Sequence, residues 1–176
     1  IGPEAIAAIA IGLDNEDPVA RARAVGSVIK AAQGGAVLAA MDSDVSVTMT
    51  GILQKAFQDE EPQVRASVVN GIGSLGVRGT TEKFVAVQSR KSQVDSRSKE
   101  LLIEILQKGL NDEAAEVCRD ASVSVWQFGP GMSYLVEEAF NSENASSRRG
   151  ILLGIAELPV VPDTIGRLMP AFAERD

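Results

Sequence analysis

Apolar and small residues return along this chain at steps of three and four. Ala5, Ala8, Ile9, Gly12 and Leu13 stand at i, i+3, i+4, i+7 and i+8, which is one face of an α-helix. The same spacing returns as Met49, Ile52, Leu53, Ala56 and Phe57, then as Leu102, Ile105, Leu106, Gly109 and Leu110, then as Met132, Leu135, Val136, Ala139 and Phe140. A second helical stripe follows each first one. It reads Ala20, Ala24, Ser27, Val28, Ala31; Val64, Val68, Gly71, Ile72, Leu75; Val117, Ala121, Ser124, Val125, Phe128; and Ser147, Ile151, Gly154, Ile155, Leu158. The segments Ile9–Ala31, Leu53–Leu75, Leu106–Phe128 and Val136–Leu158 align without a gap. Each copy predicts a helix, a short turn and a second helix. An internal repeat of this kind is the mark of a stacked array.

The expected organisation is one all-α domain over 1–176, with helix pairs at about 3–32, 45–76, 96–129 and 131–158. The steps between copies are uneven. The longest spacer predicts an extra helix over 81–91, where Phe84 and Val87 keep helical spacing, and Ala36–Met41 predicts a short helical turn. The cluster Pro159, Pro162, Asp163, Thr164 ends one helix and starts a C-terminal one over 163–174, which Pro170 cuts short. Two columns hold only small residues: Gly12, Ala56, Gly109, Ala139, and Ser27, Gly71, Ser124, Gly154. Glycine inside a helix costs about 0.5–1 kcal/mol against alanine, so these columns predict close helix–helix approach. Pro18 and Pro62 stand at matched first positions of second helices, where a missing N–H is harmless. Asp17 and Asn144 are matched N-caps, and Glu16, Glu60, Glu113 and Glu143 place carboxylates at the positive ends of helices. Gly76 and Gly129 are expected C-caps.

The turns carry a family resemblance. Asn15-Glu16-Asp17-Pro18-Val19-Ala20-Arg21 and Asp59-Glu60-Glu61-Pro62-Gln63-Val64-Arg65-Ala66 resemble HEAT repeats, in particular the short HEAT-like repeats of phycobilisome lyases. Asn111-Asp112-Glu113 with Glu116-Val117, and Ser142-Glu143 with Arg148, are weaker copies. The resemblance covers about 3–158. It implies a right-handed α-α solenoid, a HEAT/armadillo-like superhelix of about four helix pairs plus extra helices. It also implies that an arginine early in each second helix braces neighbouring repeats. That column reads Arg21, Arg65, Cys118, Arg148, and Cys118 interrupts it. Arg119, next in sequence, points about 100° away on an ideal helix.

Composition narrows the function. The chain has 176 residues and a mass of 18.5 kDa, with a net charge of −7 and a pI near 4.7. An acidic chain does not suit neutralisation of a phosphate backbone, so no nucleic-acid partner is expected. Histidine is absent, which removes the commonest general base and metal ligand. The lone Cys118 sits on a core position without a histidine partner and reads as a small buried hydrophobe. The acidic turns lack the alternating ligands and distal glutamate of a calcium loop. No nucleophile elbow or phosphate-binding glycine loop occurs. No catalytic residue, metal or cofactor is expected. No run reaches the roughly 18–20 apolar residues of a membrane span. A single free cysteine and the lack of a targeting signal point to the cytoplasm.

The expected function is a non-catalytic protein-binding scaffold that uses the face lined by second helices. Opposite the core stripes lie Arg23, Gly26 and Lys30; Ser67, Asn70 and Ser74; Asp120, Val123 and Gln127; Gly150, Leu153 and Glu157. The family resemblance implies an alternative, a bilin lyase/isomerase-type subunit. A secondary basic patch, Arg78, Lys83, Arg90, Lys91, Arg97 and Lys99, makes Val77–Glu100 locally positive and offers a contact for an acidic protein surface. Pro3–Leu13 is apolar almost all round, so it expects cover from missing repeats of a longer solenoid or from another chain.

Overall fold

A computed structural model of the chain describes residues 8–33, 43–77, 96–128 and 132–158. These residues are all-helical. Helix continues from residue 8 into a 3-10 turn, Ile11–Asp14. Seven α-helices follow: α1 (Pro18–Gln33), α2 (Ser43–Ala56), α3 (Pro62–Val77), α4 (Ser96–Leu110), α5 (Ala115–Phe128), α6 (Ser133–Phe140) and α7 (Ala145–Glu157). The expected helices over 81–91 and 163–174, the turn at 36–41, the first seven residues and Gly129 lie outside the described residues.

The helices pack in two parallel series. α1 packs on α3, α3 on α5 and α5 on α7. α2 packs on α4, and α4 on α6. Within each pair the two helices also touch: α2 with α3, α4 with α5, α6 with α7. One contiguous apolar core runs between the series, from Leu13 through Val28, Leu53, Val68, Ile72, Leu106, Leu110, Val125 and Val136 to Ile151.

Small residues set how closely α1, α3, α5 and α7 stack. A Cβ on Gly71 would stand 2.6 Å from Ile29 Cγ1; in the other column, a Cβ on Gly109 of α4 would stand 2.8 Å from Val69 Cγ1 of α3. A Cβ on Gly154 would collide with Ser122 Oγ. The column departs from expectation at its first member. Ser27 is exposed and its hydroxyl turns back to the carbonyl of Arg23 at 3.0 Å. No second helix precedes α1 among the described residues, so position 27 has nothing to pack against. Gly76 is a further correction: it lies inside α3, which runs one residue past it, and is not a C-cap.

Candidate functional site

The turns inside the pairs come first, because they fix how the second helices stand. The first three begin with an Asx side chain that accepts a backbone N–H two residues on. Asn15 Oδ1 takes Asp17 N, Asp59 Oδ1 takes Glu61 N and Asp112 Oδ1 takes Ala114 N, each at 2.9 Å. Asp59 and Asp112 do more. Arg21 donates from Nε to Asp59 Oδ2 at 2.6 Å and from Nη2 to Asp59 Oδ1 at 2.9 Å. Its Nη1 donates to the carbonyls of Asn15 and Glu16, both at 2.9 Å. Arg65 repeats the arrangement one pair later. Nε and Nη2 each lie 2.8 Å from an oxygen of Asp112, and Nη1 donates to the carbonyls of Asp59 and Glu60. Each guanidinium thus closes its own turn and forks onto the carboxylate of the next. A planar fork matches a carboxylate bidentately in a way an ammonium does not. Both arginines are nearly buried. The hydrogen bonds from Arg21 hold the Asp59 carboxyl below the usual carboxylate range against the opposing effect of burial.

The third junction is built differently. Cys118 holds the arginine position and Ser142 the carboxylate position, so both halves of the rung are missing together. Cys118 is buried, donates from Sγ to the carbonyl of Asp112 at 3.2 Å, and has its thiol pushed up to about 12 by desolvation. Asn144 caps α7 by accepting from Ser146 N and Ser147 N. It also reaches back from Nδ2 to the carbonyls of Asn111 and Asp112, at 3.0 and 3.2 Å. Ser147, which the apolar stripe placed as a core position, turns its hydroxyl to the carbonyls of Leu110 and Ala139 near the ends of α4 and α6. A Cβ on Gly150 would collide with Ala115 O and Cys118 Cβ. Gly150 is therefore buried in the α5–α7 contact, which corrects its expected place on the open face. Arg148 closes its own turn by donating to Ser142 O at 2.7 Å. Arg119 pairs instead with Asp120 at 2.7 Å and with Glu157 at 3.7 Å.

The open face of the second helices carries a groove of about 640 Å³ across α1, α3 and α5. Lys30, Ser67, Asn70, Ser74, Asp120 and Gln127 from the expected strip all line it, together with Gly26 and the small residues Ala22, Ala66 and Gly71. Arg23 lines a smaller hollow of about 300 Å³ with Val19 and Gln63, and the two share Ala22 and Ser67. Small side chains on neighbouring helices leave this furrow open: a Cβ on Gly26 would meet nothing within 4 Å. Leu153 and Glu157 are exposed on α7 but do not line the groove. Arg78, Lys83, Arg90 and Lys91 of the expected basic patch lie outside the described residues. Arg97 and Lys99 fall in the first turn of α4.

Charge along the groove is uneven. Arg23 and Lys30 are exposed and have no ion-pair partner among the described residues. Asp120 is mostly buried and neutralised by Arg119. Among the described residues, no group of three or more His, Cys, Asp or Glu side chains could hold a metal ion, and no helix is long and apolar enough to cross a membrane. Neither known protein families nor curated proteins provide a match to this chain.

Proposed function

We propose that the chain is a right-handed α-solenoid of HEAT-like helix pairs that serves as a non-catalytic scaffold and binds a protein on the face lined by α1, α3, α5 and α7. The sequential packing of these helices supports the solenoid. The observation that carries the binding role is the groove, which gathers six residues of the strip from three different helices. Its lining offers amides, hydroxyls and the cation Lys30 over small residues, with Arg23 in the adjoining hollow, which suits a polypeptide laid across the helices. The lyase alternative draws less support: the one thiol is buried and strongly desolvated, and the described groove lining carries no aromatic ring to stack on a tetrapyrrole.

Affinity capture from the source cell tests the reading. The parent chain and a triple variant (Arg23→Glu, Lys30→Glu, Asn70→Arg) are used side by side. All three side chains are exposed, so the variant folds. A protein retained by the parent and lost by the variant is the expected result. Identical captured sets, or a bound chromophore absorbing in the visible range, would overturn the proposal.

A further inference from the structure

The groove reads its ligand by charge at one end only. Arg23 and Lys30 stand seven residues apart on α1, two helical turns, and therefore share a face about 10 Å long. Neither has an anionic partner among the described residues, although the chain carries a net charge of −7. On α3 the groove becomes neutral, with exposed Asn70 aimed into it. On α5 it meets Gln127 and Asp120, and Arg119 already compensates the latter at 2.7 Å. The uncompensated charge of the groove is therefore positive and confined to its α1 end.

Resting on the scaffold reading above, we propose that the ligand is an extended, acidic peptide segment of a partner protein. Its carboxylates lie against Arg23 and Lys30, and its uncharged part crosses Asn70 and Gln127. Packed helices stand about 8–10 Å apart, so the two steps from α1 to α5 span about 20 Å, or about six extended residues. The amides of Asn70 and Gln127 can each donate to and accept from a peptide backbone, which gives affinity without demanding a side-chain sequence. Two cations neutralise only two phosphates, and a chain of net charge −7 repels the rest of a polyanion. A short segment with two or three carboxylates meets the local positive field without that penalty.

Panning a random nonapeptide phage library on the purified full chain, and on Arg23→Glu/Lys30→Glu, tests the inference. Circular dichroism and thermal melting confirm that the variant remains folded. Peptides selected on the parent should be enriched about threefold in Asp and Glu, the factor expected of one partly exposed ion pair. That enrichment should disappear on the variant, and parent-selected peptides should bind it at least about tenfold more weakly. Neutral or basic selections on the parent, or acidic ones that bind the variant equally, overturn the acidic specificity while leaving the scaffold standing. Peptides of any composition that bind Asn70→Arg as well as the parent overturn the scaffold reading with it. Tighter binding of fluorescein-labelled oligothymidine than of the selected peptides, lost in the double variant, would assign the groove to a polyphosphate instead.

Discussion

Arg65 does several jobs with one side chain. It forks onto Asp112 and ties down the carbonyls of Asp59 and Glu60. Arg65→Ala leaves a nearly buried carboxylate and two carbonyls unpaired, so it should cost about 3 kcal/mol in urea unfolding. Arg65→Lys keeps the charge but loses the fork, and should recover less than half of that loss. A double change, Arg65→Cys with Asp112→Ser, copies what stands at 118 and 142. It should cost less than the two single changes added together, because neither half is left alone in the double variant. The arginine column was legible in the sequence as Arg21, Arg65 and Arg148 at matched positions after acidic turns, with Cys118 breaking it. Its acceptors were harder to see, because the glutamates one place further on are more regular. The signal lies in the offset: Asp59 answers Arg21, Asp112 answers Arg65, and Ser142 answers Cys118. Reading each turn against the helix of the preceding copy brings that pairing out.

Among the helices, glycine marks two opposite situations. Gly51 is exposed in α2 and a Cβ there would meet nothing within 4 Å. Gly51→Ala should therefore stabilise by about 0.5–1 kcal/mol, through helix propensity and a less flexible unfolded chain. Gly150→Ala puts a methyl group against the backbone of Ala115 and Arg119 and should cost about 1–3 kcal/mol, read by the same denaturation. Helix existence was legible from spacing alone: α3 begins at Pro62 and α7 follows Asn144, where the capping residues stand. The close-approach columns were legible too, at Gly71, Gly109 and Gly154, but the fates of Ser27 and Gly150 were not. Gly26, Gly150 and Gly154 are indistinguishable as letters on a helix. Only the neighbour decides whether each lines a groove or wedges two helices together, and that neighbour comes from a different copy.

Across the whole molecule, the Arg21–Asp59 rung should make stability respond to acid. Asp59 has its folded pKa below its unfolded value, so its contribution is complete above the unfolded pKa of about 3.9 and is lost as pH falls through the folded value. Stability measured by thermal melting should fall on acidification below about pH 4, and Asp59→Asn should flatten that acid limb while lowering the plateau at neutral pH. A limb unchanged in Asp59→Asn would show that the rung carries no acid sensitivity. The third junction lacks the arginine–carboxylate fork and is joined by amide and hydroxyl bonds. Among the described residues only Arg119–Glu157, at 3.7 Å, pairs charges between α5 and α7, so its opening should depend on salt less than that of the other two. Cys118 offers a direct way to time that event. The chain's only thiol sits inside the α5–α7 contact, which lacks the arginine–carboxylate fork, and in the closed state it is both inaccessible and protonated. A thiol reagent such as an aromatic disulfide can react only after α7 lifts from α5. Its rate of colour release therefore acts as a stopwatch for the separation of these two helices, with no label to add and no second signal to subtract.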